Sequence, residues 1–561
     1  NLAATDQMLD SPTNNFATLN PIHLTNTTHS EGNLKASANN MLSSTIAFNS
    51  GKYYAEFLCH SATGGANAYS IGFHRTYFKN TAFIEWHTLR ENGYGYYALG
   101  RKYPLDSALA SYSSYGATYT TNDIIGVAID TDNGYVTFYK NGTSQGQLSF
   151  TSSEDLVFAC NSGSGTGEHT YVANFGQDSS FAGNKTAQGN ADDNGIGDFY
   201  YTPPTGFLAL CTQNLPEPTV VPSEHFNTVL YTGTGAAQSI TGVGFQPDFI
   251  WVKHRQDARD HGLVDVVRGT GVFLESNTRL AEQARTTGIT SFDTDGFSLG
   301  SDQDIFNESG GTPLHVAWNW KANGAGVSNT NGSVTTTVSA NVDAGFSIVS
   351  YTGTGSVLTA GHGLSVAPEM VIVKNRDVTI NSPNNGNWRS YHIGLHSSTP
   401  ENYKINLNDT SAATTGVSNW NNTAPTATVF TVGTDWELNQ SGQKGIAYAF
   451  HSVEGYSKVG SYTGNGSTDG TFVHCGFRPA YVMWKSSSHT TNWTILDNTR
   501  GDYNVNNKRL MPNLSNAEDT AVSADFVSNG MKLRGAGAND NGYTFIFLAF
   551  AEHPFKYTNA R

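Results

Sequence analysis

The sequence predicts an all-β protein: one N-terminal sandwich followed by three copies of a smaller sandwich-like β module. Three observations carry that expectation. Charged residues are 14% of the chain, while Tyr, Phe and Gly number 27, 30 and 59, a mixture that suits strands and tight turns and starves long helices. Two Asn-Gly turns, at Asn133-Gly134 and Asn141-Gly142, flank an alternating strand, the strongest short-range hairpin signal. Three ordered markers then recur three times over the rest of the chain.

At 561 residues the chain is too long for one core. Residues 1–40 are Asn- and Thr-rich and read as an N-terminal arm with a strand over 33–37. Wrapping a neighbouring subunit and leading into the first domain are both open to such an arm. The first domain is expected over 41–213. Its strands are GKYYAEFLC from Gly51, AYSIGF (68–73), GYGYYALG (93–100), the hairpin DIIGVAIDTDNGYVTFYKNG (123–142), VFAC (157–160) and YVANFG (171–176). Residues 214–223 hold Pro216, Pro218 and Pro222 and read as a stiff linker.

The order GKYYAEF, YSIGF, DIIGVAIDTDNGYVTFYKNG, YVANFGQ resembles the SPRY (B30.2-like) domain. The hairpin residues that carry it are Ile125, Gly126, Val127, Asp130, Gly134, Phe138, Asn141 and Gly142. The resemblance implies a concanavalin-like sandwich of two antiparallel sheets, with ligand-contacting loops at one end and no catalytic residues. The loops carry Trp86, Tyr112, Tyr115 and Tyr119 beside Arg101 among Ser and Asn, and these are the candidate ligand-binding residues. Rigid amphipathic rings with small polar neighbours give contact area at low entropic cost.

The repeats begin with YTGTG at 231–235, YTGTG at 351–355 and YTGNG at 462–466, offset by 120 and 111 residues. Each is followed by a Pro and an apolar strand, at Pro247, Pro368 and Pro479. Each copy closes with an apolar run, VAWNW (316–320), IAYAF (446–450) or IFLAF (546–550). The copies are expected over 224–322, 345–455 and 456–561, with 323–344 as a loop-like linker. The columns Trp318/Tyr448/Leu548 and Trp320/Phe450/Phe550 are expected in the core of each copy. The best helical candidate in the chain is 275–285.

The YTGNG…GFxP modules, with the closing phrase AFAEHPFKYTNAR (549–561), resemble a repeat of structural proteins from tailed bacteriophages, marine ones in particular. The resemblance implies a surface-exposed virion component, foremost a tail fibre or receptor-binding protein that contacts other virion proteins and a host surface glycan or protein. A homo-oligomer, a trimer among fibres, is the family's expectation. A capsid decoration or head-fibre protein is the alternative, and a cell-surface adhesin or lectin a further one.

A net charge of −15 with no basic stripe argues against nucleic acid and anionic membrane surfaces. No apolar run is long enough to span a membrane as a helix, and no signal-peptide pattern opens at Asn1. The chain lacks an initiator Met, which leaves room for residues before Asn1. Cys59, Cys160, Cys211 and Cys475 lack metal or redox spacing and read as buried small hydrophobes; a Cys59–Cys160 bridge is left open.

No catalytic motif is found, and the chain is expected not to be an enzyme and to need no cofactor. Three stretches could hold chemistry. In HRQDARDHGLVD, His254, Arg255, Asp257, Asp260, His261 and Asp265 could form a metal or acid–base site, but the equivalent loops of the other copies keep neither the histidines nor the acids. Asp435 and Glu437, read as sharing one face of a strand, could pair as carboxylates. Asp192, Asp193 and Asp198, with Asn194, could converge on Ca²⁺, but a solvated turn is the plainer reading.

Overall fold

The computed structural model describes residues 14–21, 27–38, 41–62, 69–76, 93–103, 113–151, 155–162, 169–311, 313–378, 386–501, 504–522, 524–535, 537–554 and 556. The chain is all-β, and its only α-helices among these residues are the single turns Val417–Trp420 and Trp436–Asn439. The segment 275–285 is not a helix. It runs irregularly between Val272–Phe273 and the paired Gln283–Ala284, because its polar side chains anchor neighbouring loops instead of presenting one apolar face. Two compact units divide the chain, Asn1–Glu217 and Pro218–Arg561.

The first unit is a two-sheet sandwich. One sheet runs in the order Thr27–Ser30, Lys35–Ala38, His169–Asn174, Lys52–Ala62, Ile124–Asp130, Tyr135–Lys140, Thr143–Ser149. The other runs Met41–Ser43, Leu156–Ser162, Tyr69–Arg75, Gly93–Tyr97, Arg101–Tyr103, Ser113–Ser114. Phe175 seals the layers, its ring 5.9 Å from Phe57 of the first sheet and 6.2 Å from Phe158 of the second. The Asn141-Gly142 turn is left-handed at both residues (φ 48° and 78°), the geometry that matches strand twist in a tight hairpin. The described part of the N-terminal arm belongs to the sandwich. Lys35–Ala38 pairs with His169–Asn174, and Phe16, Ala17 and Leu19 are buried. All four cysteines are free, buried thiols, Cys59 and Cys160 included.

In the second unit the repeated sequence becomes repeated topology. Each copy has a four-strand core in the order first, closing, post-proline, third. The first copy uses Phe226–Thr232, Leu314–Trp320, Phe249–His254 and Gly262–Asp265. The second uses Phe346–Thr352, Lys444–Phe450, Met370–Asn375 and Arg389–His392. The third uses Ser457–Thr463, Thr544–Pro554, Phe477–Ser486 and Thr494–Asp497. A smaller sheet lies apart in each copy, built on Gly296–Leu299, Val429–Val432 or Gly530–Leu533.

The YTG marker has a physical cause. The Tyr231, Tyr351 and Tyr462 hydroxyls donate to the carbonyls of Phe306, Leu438 and Ala538 at 2.7, 2.7 and 2.8 Å. The next residue in each case, Asn307, Asn439 or Asn539, is fully buried and accepts the amide of Thr234, Thr354 or Asn465 at 2.8, 2.7 and 3.1 Å. A Cβ on the first glycine (Gly233, Gly353, Gly464) would meet a main-chain oxygen at 1.9, 2.4 and 2.3 Å. The second glycine is left-handed in all three, at φ 68°, 75° and 69°.

Two expectations about connections change. Residues 323–344 are not a loose linker. Val327–Asn329 and Thr336–Asn341 form a hairpin that joins the second copy's sheet, pairing with Phe346–Thr352. The segment 214–223 straddles the division between units, and Val220 is 1% exposed inside the core of the second.

The aromatic columns do not fill three separate cores. Trp318, Trp320, Tyr448, Phe450, Leu548 and Phe550 meet in one hydrophobic cluster shared by all three copies. Phe249 stacks on Tyr448 at 4.3 Å, Phe226 on Phe550 at 5.0 Å, and Phe450 lies edge-on to Phe550 at 6.1 Å. Each copy also buries a smaller apolar cluster of its own, between its two sheets. At the shared centre a void of about 10 Å³ remains, lined among others by Trp320, Ile372, Tyr448, Met483 and Leu548.

Candidate functional site

Of the candidate ligand-binding residues in the first unit, Trp86 and Tyr112 lie outside the described residues. Arg101 sits half-buried in the short strand Arg101–Tyr103, beside the edge strand Ser113–Ser114. Tyr115 is half-buried: its hydroxyl donates to the Gly146 carbonyl, and its ring meets Tyr96 and Phe138 edge-on at 5.4 and 5.9 Å. Lys102 Nζ lies 5.8 Å from that ring's centre. Tyr119 is a core residue, 3% exposed, donating to the Tyr96 carbonyl at 2.7 Å. It fills the sandwich, so a ligand cannot touch it. Of these candidates, Arg101 and Tyr115 stand at a sheet margin, beside Lys102 and the exposed Ser113–Ser114.

The Asp192, Asp193 and Asp198 carboxylates do not converge. Asp192 is buried and saturated: Oδ1 accepts the amides of Asn194 and Ile196, and Oδ2 accepts those of Ala209 and the Asn214 side chain, all at 2.8–2.9 Å. Asp193 accepts Gly206 N at 2.6 Å, and Asp198 accepts Gly189 N at 3.0 Å. The three anchor different stretches of backbone and leave no shared oxygen cage. A carboxylate that the sequence did not single out is more perturbed. Glu56 is fully buried on Lys52–Ala62 and accepts the Tyr200 and Tyr201 amides at 2.8 Å, with Tyr54 and Asn174 at 3.2 Å. Burial pushes its pKa up to about 7 against those four donors.

In the second unit HRQDARDHGLVD splits into three roles. His254 comes within 3.9 Å of both Asp257 and Glu308 through Nε2, a candidate metal cluster. Its Nδ1, however, accepts the amides of Asp257 and Gln256 at 2.9 and 3.2 Å. The neutral ring therefore carries its proton on Nε2, which has no lone pair to offer a metal. Glu308 is already held by Arg259 at 2.8 Å. The arrangement is a buried N–H facing two carboxylates. His261 and Asp265 belong to interfaces between copies. Asp260 accepts the Asn277 side chain at 2.5 Å, and Arg255 pairs with Glu518 of the third copy at 3.1 Å.

Asp435 and Glu437 lie on a helical turn, not a strand. Asp435 caps it by accepting Glu437 N at 2.9 Å, while the Glu437 side chain is buried against Arg389 and Asn387. The turn aims the two carboxylates at separate partners.

The contacts that sequence reasoning missed close a ring. His261 of the first copy donates to Met511 O of the third at 3.0 Å, Trp493 of the third to Asn406 O of the second at 2.8 Å, and Trp388 of the second to Glu275 O of the first at 2.8 Å. A second set runs beside it: Trp318 Nε1 to Asp497 at 2.9 Å, Tyr448 hydroxyl to Asp265 at 2.8 Å, and His392 Nε2 to Phe547 O at 3.2 Å. Three lysines complete the pattern. Lys253, Lys374 and Lys485 stand next to last in the three post-proline strands and are fully buried. Lys374 Nζ donates to Arg279 O of the first copy at 3.0 Å, and Lys485 Nζ to Thr410 O of the second at 2.9 Å. Lys253 Nζ turns to its own His254 O at 2.6 Å. Burial lowers the three pKa values to about 7, 7 and 8. The signal was present as the WVK, VIVK and VMWK column of the repeat.

These features define a two-unit β protein, a SPRY sandwich followed by a closed ring of three modules. The SPRY family model matches residues 53–178, and the family described as a domain of unknown function (DUF7483) matches residues 221–554. The second match covers more than half of the chain, which belongs to that family. No curated protein matches the sequence. Among solved structures, the TRIM65 PSpry domain is 13% identical over 28% of this chain and 91% of that one, with a TM-score of 0.22. The SPRY domain of human HERC1 is 14% identical over 30% and 96%, with a TM-score of 0.21. Stonustoxin is 16% identical over 28% of this chain and 27% of its own, with a TM-score of 0.22.

Proposed function

We propose that the chain is a non-catalytic virion surface protein, a tail fibre or receptor-binding component, whose SPRY sandwich recognises a host surface protein or glycan. The observation that carries this reading is the pairing of a SPRY domain with a three-module unit whose copies are tied to one another through buried Asp265, Asp497, Lys374 and Lys485. Such a unit is a rigid support, and loops on rigid supports are where recognition is placed. The purified chain of residues 1–561 should label host cells and block adsorption of intact particles. Unlabelled cells and unaffected adsorption would overturn the reading.

The threefold arrangement of the second unit favours a second reading, a capsid decoration or head-fibre protein seated where capsid subunits meet three at a time. Copy number per particle separates the two: capsomer-matched numbers favour decoration, and tail symmetry favours a fibre.

A further inference from the structure

The three copies share their strands but differ in what covers the outer edge of the first one. In the first copy, Lys321 N bonds His225 O and Gly233 N bonds Pro313 O. Pairing alternates in an antiparallel ladder, so the odd-numbered residues of Phe226–Thr232 bond the closing strand, and Phe226, Thr228 and Leu230 turn their main-chain groups outward. The equivalent positions in the second copy are Phe346, Ile348 and Ser350. There Thr336–Asn341 lies alongside, with Ile348 opposite Ser339 and Ser350 opposite Thr337. In the third copy a local turn covers the edge: Ser457 and Val453 exchange bonds at 2.9 and 3.1 Å, and Val459 N donates to Ser452 Oγ at 2.9 Å.

The first copy has no such cover among the described residues. Phe226–Thr232 ends its sheet, and although Thr228 N is held by its neighbour Asn227, Leu230 is 40% exposed. The side chains beneath register the difference. Val229, Tyr231 and Ile240 are 9%, 9% and 7% exposed, whereas their counterparts Val349, Tyr351 and Ala360 are 0%, 3% and 0% exposed under Val338 of the covering strand.

We propose that the outer edge of Phe226–Thr232 is a docking site for an extended strand of another polypeptide, added antiparallel as Thr336–Asn341 is added to the second copy. The main chain of Leu230 and the Thr228 carbonyl supply the bonds. The occupant carries an apolar β-branched residue opposite Val229, flanked by small polar ones, the pattern that Thr337, Val338 and Ser339 show. Among the described residues, the strand that shows this pattern, Thr336–Asn341, is already paired on both sides, with Val327–Asn329 and Phe346–Thr352, and the proposed guest is a strand of a different protein. This inference stands whether or not the chain is a virion component.

A synthetic peptide of residues 332–342, GSVTTTVSANV, is the probe. Added to the chain of residues 1–561 it should bind saturably and slow hydrogen exchange of the amides over 226–232. Leu230→Ala keeps the outward amide and should keep binding. Leu230→Pro removes that amide at an edge position where proline is tolerated, and should weaken binding by about tenfold or more. No saturable binding at about 1 mM peptide would overturn the proposal. So would exchange protection confined to other strands, or a folded Leu230→Pro variant that binds as well as the parent. If Leu230→Pro fails to fold, the exchange footprint on the unmodified protein decides alone. A homodimer whose dissociation frees this edge would overturn the foreign guest.

Discussion

At the scale of single residues, the repeat is held by buried side-chain amides that tie distant backbone segments together. Asn439 shows the type. It accepts Thr354 N and donates to Ser356 O and Gly433 O at 2.6 and 2.7 Å, tying the YTGTG loop to the segment before the closing strand. Asn439→Ala should cost about 1–3 kcal/mol, because it takes the side-chain partner from the Thr354 amide and from the buried Gly433 carbonyl. Urea denaturation of the full chain checks it. The lysines set a pH dependence. Their folded pKa values lie below the ordinary 10.5, so the unfolded chain binds more protons between about pH 7 and 10.5. The cost of burying these charges is full below pH 7 and falls as pH rises. Stability should therefore increase from pH 7 to 9, and Lys374→Met should flatten that slope by up to about one part in three. A slope unchanged in Lys374→Met would reject the account. Glu56 works in the opposite sense: its raised pKa means stability falls as pH rises from about 4.5 to 7, a dependence that Glu56→Gln should remove.

At the scale of elements, the third strand of each copy lies against the closing strand of the next, and their residues vary together. Asp265 faces Tyr448 and Asp497 faces Trp318, an acceptor against a donor in both cases. At the remaining interface the acid is replaced by His392, which donates to the Phe547 carbonyl, and the donor ring is replaced by Leu548. A donor side chain at Leu548 would have no carboxylate to meet. Trp318→Phe removes the indole N–H and part of a fully buried ring, so the lost hydrogen bond and the space left behind should together cost about 2–5 kcal/mol in thermal or urea unfolding. Arg500 still partners Asp497 at 2.6 Å, which holds the loss to that range.

For the whole molecule, the shared core decides how the second unit unfolds. Three beads on a string would lose one bead at a time. A ring whose copies bury Trp320, Phe450 and Phe550 against one another cannot. Unfolding of the 218–561 unit should be a single cooperative transition by fluorescence and circular dichroism. A chain ending at residue 455 should expose the apolar faces of the two remaining copies, bind a hydrophobic dye and lack a sharp transition. A truncated chain that melts as sharply as the parent would show that the copies fold independently.

The sequence alone determined the strand content, the SPRY hairpin and the thrice-used module, because each rests on local physics. Alternation places strands, Asn141-Gly142 closes a tight turn, and Tyr231-Thr232-Gly233 repeats because its hydroxyl and glycine are needed in every copy. Only the tertiary structure decided where the copies' aromatic columns meet, that 323–344 pairs as a hairpin, that Tyr119 is core, and that Asp192 is spent on backbone amides. Those outcomes depend on which distant atoms arrive at a side chain. Composition and spacing name the chemistry of Tyr119 or Asp192, but burial and hydrogen-bond partners exist only once residues far apart in the chain are brought together.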